Sequence, residues 1–445
     1  MSKSPVVIGQ GSYGCVHKPS LICKDKPSQD YTNKVSKLLD KYSATKELAE
    51  YEKVAAADKK SKFYLGIPAS CDIDATHKAN LSAIRKCNIA DSVLHQPDNY
   101  TSLIMEDGGY NLETYRDTMK RWPKSEMSTE HCEKFLVELL RLFAGLVEFE
   151  AHDLLHHDMK PQNIVYNEKN NRLNYIDFGL MDNISTFLND ARASRYNWAI
   201  FHWSYPWELQ LLNQKTFSRV ANDSKLQDGL IDQIESDLRN GTGDSENAKS
   251  FFYYAMDHSS SMKYQIGCDG YLYDYSHMLK LDMKDMGYDR FMEKSIRTVD
   301  VFGLGIALNS WFYTARKHLG ALDENALELI FSRMISARVS IRLTAQEALD
   351  RYEKFLVNSG LLDRYDKKIE NHIVVDSTKE ESPSPSLPPL IFDMKFRPDP
   401  EFVEADPKPC PEGKEYNKKT RRCLVKCKDG KVRNPKTRRC IKAKN

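Results

Sequence analysis

The sequence predicts an α+β fold: antiparallel strands over roughly residues 1–105, then a mainly helical body. Three features carry that expectation. Two short apolar runs, Val6-Val7-Ile8 and Cys15-Val16-His17, flank a glycine-rich turn, Gly9-Gln10-Gly11-Ser12-Tyr13-Gly14. Beyond Ser128, Phe135, Leu136, Leu139, Leu140, Leu142, Phe143, Leu146 and Val147 recur at helical spacing. Near residue 376 the composition shifts to Ser, Pro and acid, which ends the folded body and begins an extended linker over 376–406.

The elements follow in order. A third strand is expected at about 31–39, with Val35, Lys37 and Leu39 on one face by two-residue alternation. Ala44 to Asp58 is rich in Ala, Glu, Lys and Leu and predicts a helix. Leu103-Ile104-Met105 is an apolar strand ending at the turn signal Glu106-Asp107-Gly108-Gly109. Ser128-Thr129-Glu130 offers caps for the next helix. Two short strands follow, 163–167 and 173–177. Residues 209–298 are polar and aromatic-rich without a clear period, and are assigned as an insertion.

Charge and cysteine usage divide the chain further. The formal net charge of +2 hides an asymmetry: residues 407–445 hold 15 Lys+Arg and 3 Asp+Glu, so +12 against −10 for the rest. Short basic tails of this kind tend to be interaction elements. The tail is also an internal repeat. Cys410-Pro411-Glu412-Gly413-Lys414 opens a unit that closes Thr420-Arg421-Arg422-Cys423; Cys427-Lys428-Asp429-Gly430-Lys431 opens another that closes Thr437-Arg438-Arg439-Cys440, 17 residues on. The other six cysteines, Cys15, Cys23, Cys71, Cys87, Cys132 and Cys268, are expected as buried thiols. The N-terminus has no apolar run of signal-peptide length, and Val299 to Ala315 is too short to span a bilayer, so a soluble intracellular protein with no membrane partner is expected.

The chemistry lies in two constellations. In Gly9-x-Gly11-x-x-Gly14-x-Val16, glycines let backbone amides approach phosphate oxygens. Strands on both sides favour a flap over a nucleotide rather than a dinucleotide fold, whose glycine motif opens a helix. The second constellation is His156-His157-Asp158-Met159-Lys160-Pro161-Gln162-Asn163, followed by Asp177-Phe178-Gly179. Phosphoryl transfer needs an Asp to take a hydroxyl proton and a cation for the group in transit. It also needs an Asn and an Asp to hold magnesium. Asp158, Lys160, Asn163 and Asp177 supply these in order.

These residues give the chain its resemblance to the eukaryotic-type protein kinases, over about residues 1–360. The resemblance implies a bilobal fold, with an N-lobe over 1–105 and a C-lobe over 106–365 carrying the insertion at 209–298. Ile8, Gly9, Gln10, Gly11, Ser12, Tyr13, Gly14, Cys15 and Val16 would cover ATP, and Lys37 would grip its phosphates, with Lys34 the rival on the opposite strand face. Lys37 would pair with Glu50, Glu47 being the alternative. Met105 would be the gatekeeper, with Glu106 and Gly108 in the adenine hinge. Asp158 and Lys160 would be catalytic, and Asn163 and Asp177 would hold Mg²⁺, a place Mn²⁺ could also take. Tyr205-Pro206-Trp207-Glu208 resembles the family's Ala-Pro-Glu element; Asp300 would bond the catalytic loop and Arg342 would pair with Glu208. Lys160 follows the serine/threonine pattern, so the implied substrates are protein Ser and Thr hydroxyls.

Two further points qualify the resemblance. His157 stands where the family usually has Arg, which implies activity without phosphorylation of the activation segment, about 180–205. The tail resembles the two-cysteine adaptor modules fused to kinases of large DNA viruses, iridovirus-like ones above all, which implies host cytoplasm or virion. Its partner would be a protein or other acidic surface; its cysteines could bind zinc or form disulfides. Nucleic acid is the weaker candidate, because Tyr416 is the only aromatic residue in the repeats. The rival readings are a catalytically weak scaffold acting through the tail, and a small-molecule kinase.

Overall fold

A computed structural model describes residues 4–11, 14–26, 29–197, 202–240, 245–320 and 322–377, and four short strands between 414 and 442. An antiparallel sheet forms first, in the order β1 (Val6–Gly11), β2 (Gly14–Lys18), β3 (Lys34–Asp40), β5 (Tyr100–Glu106) and β4 (Ala69–Cys71). Lys37 of β3 lies opposite Val16 of β2 and Leu103 of β5. Helix α1 (Lys41–Ala57) follows β3 directly, capped by the Asp40 carboxylate on the Ser43 amide at 2.9 Å. Two short helices, α2 (Lys78–Ile84) and α3 (Ala90–His95), lie between β4 and β5.

The rest of the first unit is mainly helical. After β6 (Tyr110–Asn111) and α4 (Leu112–Met119) comes α5 (Glu126–Ala151), capped by Ser125 rather than within Ser128–Glu130. Strands β7 (Leu154–Leu155), β8 (Ile164–Asn167), β9 (Arg172–Tyr175) and β10 (Asp182–Asn183) form small ladders, β6-β8-β9 and β7-β10. Helix α6 (Ile184–Arg192) follows. Helix α12 (Val299–Ala315) is buried on nearly every side, as expected of a helix apolar all round. Trp311 of α12 stacks on Phe135 of α5 at 4.5 Å. Helices α13 (Glu324–Met334), α14 (Ala345–Asn358) and α15 (Leu361–Arg364) and the hairpin β11 (Lys367–Glu370)–β12 (Ile373–Asp376) complete the unit. Tyr352 of α14 stacks on Phe143 of α5 at 4.4 Å.

The segment assigned as an insertion is itself helical: α7 (Gln214–Ala221), α8 (Ser224–Asn240), α9 (Ser245–Ala255), α10 (Ser261–His277) and α11 (Met283–Arg297). Its aromatic residues explain the missing period. Phe251, Phe252, Tyr271 and Tyr275 all pack around the Trp207 ring, with centroids 5.0–5.7 Å away. Residues from two helices, α9 and α10, thus converge on one centre, and α11 breaks at Gly287 (φ 69°), so no single apolar stripe runs through the sequence.

Four of the six scattered cysteines are not thiols. Cys15 is bonded to Cys87 and Cys23 to Cys71, while Cys132 and Cys268 are free and buried. The expectation failed because partners 72 and 48 residues apart meet only when the sheet forms. Among the described residues, no helix is long and apolar enough to cross a membrane.

Residues 381–445 form a separate unit. Within it the repeat is structural: β13 (Lys414–Asn417) pairs with β14 (Arg422–Val425), and β15 (Lys431–Arg433) with β16 (Cys440–Lys442). Tyr416 opposes Cys423 and, 17 residues later, Arg433 opposes Cys440, so both units are hairpins of one register. Cys410 and Cys427, and the linker over 378–406, lie outside the described residues.

Candidate active site

Strand β3 and helix α1 set the first half of the site. Ala44, Glu47, Tyr51, Val54 and Ala57 share the buried face of α1, at steps of three and four residues. Tyr51 meets the buried Phe178 ring edge-on, at 5.1 Å and 84°, which seats α1 on the Asp177-Phe178-Gly179 turn. Glu47 then faces the sheet. Lys37 Nζ lies 2.7 Å from Glu47 Oε2 and 2.9 Å from Asp177 Oδ1. Glu50 is not the partner: it lies off the buried face and pairs with Lys53 at 2.8 Å. The register of Glu47 with Ala44, Tyr51 and Val54 was the signal that would have chosen it. Lys34, on the opposite face of β3, pairs with Glu106.

The electrostatics of this cluster favour the ionised forms of Lys37 and Asp177. Burial alone would lower the Lys37 pKa, but the Asp177 and Glu47 carboxylates reverse that and raise it, so the ammonium stays charged. Burial would raise Asp177, yet Lys37 holds it below its ordinary value, with Lys160 and His156 acting in the same direction. Burial dominates at Glu47 and raises it despite Lys37. Asp177 sits at φ 62°, a left-handed conformation that Asp tolerates better than most residues.

The second half is the loop 156–163, held from behind by α12. The carboxylate of Asp300 accepts from the His156 amide at 2.6 Å and the His157 amide at 2.9 Å. Gly303, one turn on, lets the helix approach: a Cβ there would lie 2.2 Å from the Met159 carbonyl oxygen. Lys160 Nζ binds both Asp158 oxygens, at 2.8 and 2.7 Å. Asn163 Nδ2 donates to the Asp158 carbonyl and to its Oδ2, both at 2.8 Å. The two halves join through Ile176, whose amide donates to the Asn163 carbonyl at 3.0 Å and whose carbonyl meets His156 Nε2 at 3.0 Å. The sequence-expected Lys37, Asp158, Lys160, Asn163 and Asp177 thus belong to one site, with Glu47 in the place of Glu50.

The glycine-rich hairpin shows two kinds of glycine. Gly14 is required by the sheet, since a Cβ would lie 2.0 Å from the Leu38 carbonyl oxygen. Gly9 and Gly11 meet no such crowding: the nearest atom to a Cβ at Gly9 is 3.8 Å away, and none lies within 4 Å at Gly11. The sheet does not demand glycine at those two positions, which leaves room above them for something external. Val16 and the exposed Ile8 belong to the same hairpin. The Cys15 side chain, bonded to Cys87 and buried, is taken up by the protein, so only its backbone could serve a ligand. Ser12 and Tyr13 lie outside the described residues. Gly108 packs against Val165 and Leu65, so its glycine is a packing requirement.

Residues the sequence did not single out complete the surroundings. His202 is pushed down to about 4 by burial, then by the Lys160 ammonium, with the Asp158 carboxylate opposing; it places a neutral ring near the Asp158–Lys160 pair. No motif or period marks it in the sequence. His157 (φ 56°) packs on Phe187 at 4.3 Å and Tyr205 at 5.2 Å, and its Nε2 meets the Tyr196 hydroxyl at 2.9 Å. The Tyr205 hydroxyl donates to the His157 carbonyl. Burial pushes the His157 imidazole down to about 4, and His17 likewise.

These histidines give a pH prediction. All three, His17, His157 and His202, are neutral in the folded protein near pH 7 and titrate near 6.5 when unfolded. Between pH 6.5 and 4 the unfolded chain takes up protons that the folded one excludes, so stability falls as pH drops through that window. Urea midpoints at pH 7.5 and 5.5 check this; His17→Phe should flatten the dependence, and an unchanged slope would contradict the assignment.

No protein-family model matches this chain.

Proposed function

We propose that the protein is an ATP- and Mg²⁺-dependent serine/threonine protein kinase, folded as two lobes with the site between them. The observation that carries this reading is the Lys37 ammonium bridging Glu47 and Asp177, 140 residues apart in chain for the second pair, beside the Asp158–Lys160–Asn163 cluster. A structural ion pair needs only one carboxylate. A charged lysine between two carboxylates suits the binding of further anionic and cationic groups.

The donor set fits magnesium. Among the described residues, no group of three or more His, Cys, Asp or Glu side chains could hold a metal by itself. Mg²⁺ is commonly held by one or two carboxylates together with phosphate oxygens and water, and Asp177 with the Asn163 amide oxygen supplies that kind of site. Asn163 spends its N–H groups on Asp158, so its oxygen is the atom left for a cation. Bound there, Mg²⁺ would neutralise phosphate charge. Lys37 would hold phosphate oxygens under the Gly9–Gly11 strand end. Asp158, fixed by Asn163, would orient a Ser or Thr hydroxyl and accept its proton. Lys160 would place positive charge beside the phosphoryl group in transit. The basic hairpin unit we take as a docking module for an acidic protein surface.

Two tests follow. Glu47→Gln should lower phosphoryl transfer about tenfold or more, a barrier change of about 1.4 kcal/mol or above. Glu50→Gln should leave it within about twofold. Steady-state kinetics on both variants check this, and equal losses would contradict the Lys37–Glu47 pairing. Second, a buried neutral His157 has no charge to offer a phosphorylated segment. Phosphatase-treated protein should keep its full rate; a rate that collapses on dephosphorylation and returns on rephosphorylation would contradict it.

A further inference from the structure

The turn between α2 and α3 meets the glycine-rich hairpin at three points. Asn88 Nδ2 donates to the Gly11 carbonyl at 2.9 Å, and the Asn88 amide donates to Gln10 Oε1 at 2.9 Å. One residue earlier, Cys87 is bonded to Cys15, with the Cα atoms 5.9 Å apart. The first two contacts hold the end of β1 and the third holds the start of β2, so the turn grips the hairpin on both sides of its tip. The hairpin does not need these contacts to form, because its strands pair with each other through Gly11 opposite Gly14.

The turn itself rests on a firm base. Ala83 and Ile84 of α2 pack with Leu21, Leu38, Ile73 and Val93 in a buried cluster. Asn80 accepts from the Ile22 amide at 2.9 Å and donates to the Ile22 carbonyl at 2.8 Å. Anything tied to Cys87 and Asn88 is therefore tied to the core of the sheet. The tethers fall on Gly11 itself, on Gln10 between the two glycines with open space over them, Gly9 and Gly11, and on Cys15 of the facing strand.

We propose that the Cys87–Asn88 turn is a latch on the glycine-rich hairpin, setting its freedom to lift over a nucleoside triphosphate, and that the Cys15–Cys87 bond locks the latch. This rests on the reading of the site as a nucleotide site. A flap that covers a nucleotide must open to exchange it, and such opening commonly limits turnover. Three tethers oppose that opening, and one of them is removable. A dithiol reductant attacks one sulfur of Cys15–Cys87 as a thiolate and breaks the S–S bond. Its second thiol then resolves the mixed disulfide. Two electrons pass to the protein, Cys15 and Cys87 each end as a thiol carrying a proton, and the reductant leaves as a cyclic disulfide. The Asn88 bonds remain, so the reduced hairpin is still positioned but free to lift. Asn88 is thus a positioning residue, acting on nucleotide through Gln10 and Gly11.

The test uses the full chain, oxidised with glutathione disulfide or reduced with dithiothreitol. It measures KM for ATP, kcat, ADP release by stopped flow, and hydrogen exchange over residues 6–18. Reduction, or Cys87→Ser, should speed ADP release and exchange in the hairpin. In the reduced protein Asn88→Ala should raise KM for ATP about three- to tenfold, the scale of one or two lost hydrogen bonds, with kcat not reduced. Cys23→Ser, which opens the other disulfide, should leave ADP release unchanged. Equal ADP release and equal hairpin exchange in oxidised, reduced and Asn88→Ala protein would overturn the latch, as would failure of Cys15 and Cys87 to pair under oxidant. Faster hairpin exchange on reduction, in protein that binds no nucleotide in either state, would support the tether and sink the nucleotide reading.

Discussion

Asp177→Asn should reduce Mg²⁺-dependent phosphoryl transfer by about a thousandfold or more while leaving the fold intact, as expected when a preorganised charge at the reacting centre is removed. The size follows from its position. Asp177 is the group that meets Lys37 at 2.9 Å, and with Asn163 it makes up the donor set we propose for Mg²⁺. The fold should survive because Lys37 keeps Glu47 at 2.7 Å and so is not orphaned. Asparagine is the better replacement than alanine, since the backbone there has φ 62° and a β-carbon without a short polar side chain costs about 1 kcal/mol or more in that region. Transfer rates with and without Mg²⁺, beside a thermal melt, check both halves. A variant that keeps a tenth of the activity would rule Asp177 out of the proposed metal site.

The largest stability effect should come from Arg342. Its side chain is fully buried, donates to Glu208 at 2.6 Å and to the Ser336 carbonyl at 2.9 Å, and reaches Thr298 Oγ1 at 3.3 Å. Its guanidinium also lies over the Phe302 ring, 5.0 Å from the centroid. Arg342→Ala strands the Glu208 carboxylate, itself 1% exposed, and should destabilise the protein by about 3–5 kcal/mol. Arg342→Lys should recover little of this, because a single ammonium cannot reproduce the forked geometry. Removing both charges with Arg342→Met and Glu208→Leu should cost less than Arg342→Ala alone, because no unpaired charge remains. Denaturant unfolding of the three variants checks the order. A loss below about 1 kcal/mol for Arg342→Ala would place the pair in solvent instead.

The sequence made parts of the site legible because their chemistry is local. Asp158, Lys160 and Asn163 lie within one loop, and spacing alone groups them. The strand alternation that put Lys37 on the face opposite Lys34 holds in the structure, where the two lysines go to different partners. Residue type and distance along the chain do not separate Glu50 from Glu47, because neither fixes helical phase. Phase shows only when Ala44, Tyr51 and Val54 are seen to share the buried face. The disulfides escaped for a different reason. Nothing near Cys15 announces Cys87, and their meeting depends on where the α2–α3 turn lands. The helices of 209–298 were hidden by aromatic residues that α9 and α10 both point at Trp207. His202 belongs to the same class, a residue brought near Asp158 and Lys160 by tertiary structure alone.

The central claim is that this site transfers phosphate to protein hydroxyls, and it is tested most directly with purified full-length protein, γ-labelled ATP, Mg²⁺ and a mixed basic protein substrate, followed by identification of the labelled amino acid. Label on Ser and Thr, abolished in Asp158→Asn and in Asp177→Asn, is the expected result. A folded protein that binds ATP yet labels neither the substrate nor itself would contradict the account and leave a scaffold acting through its basic hairpins.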